Sequence, residues 1–158
     1  MAKAELQIKG IEALKERLKK REEVFKNALG VQLMQLGEAV VTHAKQNKGY
    51  KDRTANLKNS ISYALFLDGE LVQSVTGAIP HPEEVQWGQK EVDNALSTFS
   101  NQSGVVASKG YTIIVVAGMN YGKYVEDKGY NVLHLSKYYM KDEMRRIFNE
   151  VIERIKGE

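Results

Sequence analysis

The stretch Ile61-Ser62-Tyr63-Ala64-Leu65-Phe66-Leu67-Asp68-Gly69-Glu70-Leu71-Val72-Gln73-Ser74-Val75-Thr76 decides how this chain is read. Ile61, Tyr63, Leu65 and Leu67 alternate with Ser62, Ala64 and Phe66, which is the two-residue period of a strand. Asp68-Gly69 is a strong signal for a two-residue hairpin turn, so Leu71–Thr76 is the expected return strand. Such a turn pairs Leu65 with Val72 on one face and Phe66 with Leu71 on the other. Both faces are then partly apolar. A hairpin of this kind asks for a helix layer on one side and a further cover, such as a second subunit, on the other.

Upstream of the hairpin, an apolar stripe runs Ile11, Leu14, Leu18, Phe25, Leu29, Leu33, Leu36, Val40, Ala44, mostly in helical steps of three and four. One turn of the stripe is missing, where Arg21 and Glu22 fall on it. Unbroken, a helix from Ile11 to about Gln46 extends roughly 50 Å at 1.5 Å per residue. A compact domain of this size is about 30 Å across. The helix is therefore expected either to break near Arg21 or Gly30, or to project its first half onto another subunit. Gly30 and Gly37 share one face, where another element can approach closely. After a loop at Asn47–Tyr50, Thr54 is the expected cap of a single helical turn with Leu57 turned inward.

Downstream, the pattern weakens over residues 79–110. Pro82-Glu83-Glu84 is the expected opening of a helix carrying Val85, Val92, Leu96 and Phe99 on one face, and the rest reads as a long loop. Tyr111–Gly118 is a continuous β-branched run and is expected to be the central strand. Lys128-Gly129 reads as the end of a short helix, and Ser136 as the cap of a final amphipathic helix with Met140, Met144, Ile147, Phe148, Val151 and Ile155 on its stripe. The order helix, hairpin, strand, helix gives an α+β fold. A three- to four-stranded antiparallel sheet packs against a long N-terminal helix and a C-terminal helix. The expected organisation is a single domain over 1–158, with the N-terminal helix in 1–48, the sheet in 60–118 with its long loop 79–110, and the last helix in 136–156.

Composition bounds the chemistry. The chain has 158 residues and no cysteine, so thiolate nucleophiles, thiolate metal sites and disulfides are excluded. The N-terminus, Met1-Ala2-Lys3-Ala4-Glu5, opens no apolar run, so neither a secretory signal nor a membrane span is expected there. A net charge of +3 comes from 23 basic and 20 acidic residues that are interleaved almost everywhere, unlike the basic stripe of a duplex-binding domain. His43, His81 and His134 are scattered and lack metal-ligand spacing. Gly118-Met119-Asn120-Tyr121-Gly122 has neither the third glycine nor the strand–helix alternation of a dinucleotide site. No serine sits in a Gly-x-Ser-x-Gly elbow. No catalysis, cofactor or metal is expected. Tyr121, Tyr124, Tyr130, Tyr138 and Tyr139 alternate with lysines, a composition that suits an interface or a core and, as an alternative, a small nucleic-acid-binding module that also uses Arg17, Lys19, Lys20 and Arg21.

Two segments carry a family resemblance. Thr54-Ala55-Asn56-Leu57-Lys58-Asn59-Ser60-Ile61 opens the first strand, and Tyr121-Gly122-Lys123-Tyr124-Val125-Glu126-Asp127-Lys128-Gly129 follows the last one. In this order, between two long helices, they resemble the tail-completion or head–tail joining (neck, minor tail) proteins of long-tailed bacteriophages. That family has glycine where Ala55 stands, so the turn here is not expected to use a left-handed backbone unless it is strained. The resemblance implies a virion or prophage structural protein at the head–tail junction or tail terminus, made in the host bacterial cytoplasm. Its partners would be copies of itself in a ring and connector or tail-tube proteins, with nucleic acid only as passing DNA and no membrane. It further implies that Tyr121, Tyr124 and Val125 anchor the post-strand helix, that Leu57 and Ile61 seat the hairpin, and that Glu126 pairs with a base such as Arg53. Thr54, Leu57, Ser60, Ile61, Tyr121, Tyr124, Val125, Glu126 and Gly129 are the interface or motif residues it singles out.

Overall fold

A computed structural model describes residues 10–156; the first nine residues of the expected N-terminal unit, and with them the reading of Met1–Glu5, lie outside the described residues. In chain order the elements are α1 (Ile11–Gln46), α2 (Asn56–Asn59), β1 (Ile61–Leu67), β2 (Glu70–Val75), a 3-10 turn (Pro82–Glu84), α3 (Gln89–Ser100), β3 (Tyr111–Ala117), α4 (Gly122–Asp127) and α5 (His134–Lys156). The fold is α+β: a three-stranded antiparallel sheet, a long N-terminal helix and a C-terminal helix. Among the described residues no helix is long and apolar enough to cross a membrane.

α1 is unbroken over 36 residues, about 54 Å at 1.5 Å per residue. Neither Arg21 nor the glycines interrupt it, because the glycines are where the sheet comes closest. A side chain on Gly37 would occupy the space of the Tyr63 ring, and one on Gly30 would lie 2.5 Å from the Tyr111 hydroxyl. That hydroxyl donates to the Lys26 carbonyl at 2.9 Å, tying β3 to α1. From Leu29 to Ala44 the stripe is buried, whereas every residue from Ile11 to Val24 is exposed.

The sheet order is β2-β1-β3, so the centre is β1 and not β3, as the β-branched run had suggested. β3 pairs on one side only and owes its apolar character to burial of its faces. Ile113 and Val115 face α1 and α5, while Ile114 and Val116 face α3. β1 is covered in the same two-sided way. Ile61, Tyr63 and Leu65 pack on the α1 side, with Ala64 and Phe66 on the α3 side. Full burial of an aliphatic side chain stabilises by about 1.5–3 kcal/mol, so β1 is the element the core is built around.

The second face of the hairpin is thus covered at β1 by the chain's own α3, not by a second subunit. The helix in this segment begins at Gln89, after Gly88 at φ 55°, instead of at Pro82, and it turns Val92 and Leu96 inward while Phe99 stays exposed. Residues Pro82–Glu84 make only a 3-10 turn. β2 is different. It lies beyond the reach of α1 and is exposed along nearly its whole length. Asp68 and Gly69 take positive φ as expected, and Phe66 pairs with Leu71. Leu65, however, pairs with Gln73, because an irregularity between Leu65 and Phe66 leaves Val72 as an extra residue on β2. Such a bulge re-aims an edge strand and interrupts its free hydrogen-bonding row.

Candidate interaction surfaces

The segments Thr54–Ile61 and Tyr121–Gly129 meet beside the start of the sheet. Leu57 is buried with Val92, Met119 and Val132, and Tyr121 and Val125 pack against that cluster. Ile61 belongs to the adjoining cluster with Val41, Ala44 and Tyr63. The Ser60 hydroxyl is fully buried and donates to the Leu57 carbonyl at 2.8 Å. Ala55 precedes α2 with φ 60° and ψ 6°, so the left-handed conformation not expected of an alanine is present. Thr54 Oγ1 accepts from the Asn56 N–H at 3.3 Å, and Thr54 lies one residue before the cap position, which Ala55 fills.

Asn56 was not singled out by sequence, yet it holds the junction together. Buried, it donates from Nδ2 to the His81 carbonyl at 2.6 Å and accepts the His81 N–H on Oδ1 at 2.9 Å. The carboxylate of Glu126 is likewise engaged. Its Oε2 accepts the N–H groups of Val132 at 3.0 Å and Leu133 at 2.7 Å, donors at the entry to α5. Backbone amides therefore take the place of the Arg53 partner that the resemblance had implied. Asn131 Oδ1 accepts from Leu135 N–H at 2.8 Å and caps α5. Ser136, the expected cap, lies inside the first turn of α5 and is buried there. Gly129 ends the α4 region at φ 83°. Tyr124 anchors nothing: it is 65% exposed, with the Lys128 ammonium 5.3 Å from its ring centre.

Next to this junction is an open cleft of ≈ 590 Å³ lined by residues including Asp52, Arg53, Ala55, Glu84 and Tyr121. The Tyr50 hydroxyl at its margin is buried without a hydrogen-bond partner, and burial followed by the negative charge of Asp52 pushes its phenol well above the usual value. Among the described residues the one group of three possible metal ligands is His81, Glu83 and Glu84, all exposed. A backbone hydrogen bond, then the hydrogen bond to His81, holds the Glu83 carboxyl below its usual range. His43 Nδ1 lies 3.0 Å from Ser136 Oγ, a spacing that suits a base beside a nucleophile. Ser136 is buried, and the His43 ring is stacked on Tyr139 at 4.4 Å, so the pair clamps α1 to α5.

Apart from these, apolar surface is left uncovered among the described residues. Leu14 and Leu18 on α1 are 58% and 59% exposed, and Leu71, Val72 and Val75 on β2 are also open. On the far side of the sheet, Gly118 N–H donates to Ser60 O and Asp68 N–H to Gly110 O, both at 3.0 Å. That register turns the N–H and C=O groups of Ile113 and Val115 toward the free edge of β3, a strand with no charged residue. Two clefts lined by Leu133 and Lys137, one of them also by Met140, run along it. Compared with known proteins, the chain matches no family model, no curated protein and no solved structure.

Proposed function

We propose that this chain is a structural assembly protein of a long-tailed bacteriophage or prophage, seated at the head–tail junction or the tail terminus. It binds copies of itself in a ring together with connector or tail-tube proteins, and performs no chemistry. The observation that carries the reading is the first half of α1, a projecting helix whose apolar stripe nothing in the described chain covers. A helix of this kind is marginal in water unless it is packed against something. The resemblance gains support from the junction of its two segments. They form one packed unit, and Ala55 takes the left-handed backbone at the position where the family has glycine.

The test is electron microscopy and co-sedimentation of the chain with the connector and tail-tube proteins encoded beside it. The expected result is a ring on one of them. A chain that stays monomeric with every such partner, or a gene flanked by no portal, capsid or tail gene, overturns the reading.

A further inference from the structure

The exposed half of α1 continues the stripe that further along faces the core, and there it follows a stricter pattern, whose last two residues, Phe25 and Ala28, pack against the edge of that core. Ile11, Leu14, Leu18, Arg21, Phe25 and Ala28 follow one another at strictly alternating steps of three and four. That is the seven-residue repeat by which two helices coil around each other. The first four of these residues are exposed, and Phe25 and Ala28 are half-buried where the helix enters the body of the protein. We propose that Ile11–Ala28 pairs with the same segment of a second copy of this chain as an antiparallel two-helix contact. The proposal rests on the self-association reading above and names the pair that the free subunit forms before assembly.

The sequence of the seam selects both the occupant and the direction. Run antiparallel with Leu18 opposite Arg21 of the second copy, the layers become Ile11 on Ala28, Leu14 on Phe25 and Leu18 on Arg21, each repeated by the twofold axis. Large side chains then face small ones at the ends, and the aliphatic stem of Arg21 lies on Leu18 with its head in water. Lys15 and Glu22 flank the same side of the seam one repeat apart, so each Lys15 meets Glu22 of the second copy. A parallel pair instead stacks Arg21 on Arg21 in one layer. Six layers bury on the order of 1,000 Å², near the threshold of a specific interface. Being isologous it closes on itself, which makes it the form of the free subunit and not the ring contact.

The full chain lacks cysteine, so single cysteines report the register cleanly. Leu18→Cys and Arg21→Cys both alter exposed positions. Mixed and oxidised, they are expected to give chiefly the mixed disulfide, while Leu14→Cys alone stays reduced. Rapid dimerisation of Leu14→Cys without the mixed product means a parallel pair and overturns the proposal. Sedimentation equilibrium of the unmodified chain is expected to show a dimer that Leu18→Asp weakens at least tenfold, with equal melting temperatures at concentrations low enough that both chains are monomeric. A wild-type chain that is monomeric at several hundred micromolar also overturns it. If that monomer nevertheless forms rings with connector protein, the assembly reading survives and this one does not.

Discussion

Ala55 is held in a conformation that L-residues avoid. At φ 60° and ψ 6° its Cβ crowds the following carbonyl, a strain of about 1–2 kcal/mol that glycine does not suffer. The position is over-determined by its neighbours: Asn56 is locked to the His81 backbone and Leu57 is buried. Ala55→Gly is therefore expected to stabilise the protein by about 0.5–1 kcal/mol, after the extra chain entropy of glycine in the unfolded state is subtracted. Urea denaturation reads this as a higher midpoint at unchanged slope, and a lower midpoint would mean that the turn is not strained. Tyr50 is the opposite case, a cost in the polar group and not in the backbone. Its enclosed hydroxyl has no partner, so Tyr50→Phe is expected to be neutral or stabilising by about 1 kcal/mol at neutral pH. The fold favours the neutral phenol, whose folded value is raised above the ordinary 10.0. Its contribution is accordingly intact below pH 10 and is lost as pH rises from there toward the folded value. From pH 8 to pH 11.5 the gap between the two melting temperatures should stay constant up to about pH 10 and widen above it, with the wild type falling faster. Ala55 was marked only by the glycine the resembling family has there, with the left-handed turn not expected, and neither Asn56 nor Tyr50 was legible from sequence. Asn56 reaches a partner 25 positions away, and the surroundings of Tyr50 are assembled from several elements, so no local pattern announces either.

Between elements, the contacts that matter most are the two places where α1 has no side chain. Gly30 and Gly37 were legible as a close-approach face because two glycines one heptad apart cost a helix about 1 kcal/mol each unless something replaces the lost propensity. What approaches was not legible: the ring of Tyr63, fully buried, and the hydroxyl of the partly buried Tyr111. This difference separates the two substitutions. Gly37→Ala drives a methyl into a ring that has nowhere to go and is expected to cost about 1–2 kcal/mol net, after the gain in helix propensity. Gly30→Ala meets the far end of a side chain that can swing outward, so its loss of the Lys26 hydrogen bond and its gain in propensity nearly cancel. Thermal melts of the two variants test this, and equal losses would contradict it. The hairpin was read correctly as a hairpin, and its register was missed by one residue because a bulge leaves no signature in an apolar–apolar–polar run such as Leu71-Val72-Gln73. α3 was underestimated for a related reason. Its apolar face, with Val92 and Leu96, was read as helical, but nothing local shows what that face meets: Leu96 covers the sheet face of Ala64, Phe66, Ile114 and Val116 that was assigned to a partner. β3 was placed at the centre because β-branched continuity reports burial of faces and says nothing of how many edges are paired.

At the scale of the whole molecule α1 is one helix with two supports. Its second half lies in the core against β1, β3 and α5, where Leu29, Leu33, Leu36 and Val40 pack with Leu65, Ile147 and Val151. Its first half is held by its own backbone hydrogen bonds and by exposed ion pairs such as Glu12–Lys15 and Glu22–Lys26, each worth a few tenths of a kcal/mol at most. A helical segment of that length without packing is marginal in water. Hydrogen exchange on the dilute monomer should therefore divide the helix in two. Amides of Ile11–Val24 should exchange through local opening that costs about 0–2 kcal/mol, while those of Leu33–Ala44 should approach the global unfolding free energy, on the order of 5–15 kcal/mol. The boundary should fall near Phe25, where the stripe first meets the body. Adding a partner that covers the stripe should slow exchange in Ile11–Val24 directly, and in Leu33–Ala44 by no more than the partner's contribution RT ln(1 + [L]/Kd) to the whole fold. Uniform protection along α1 at concentrations where sedimentation gives a monomer would show that the first half is stable without cover, and would remove the physical reason for assigning it a partner.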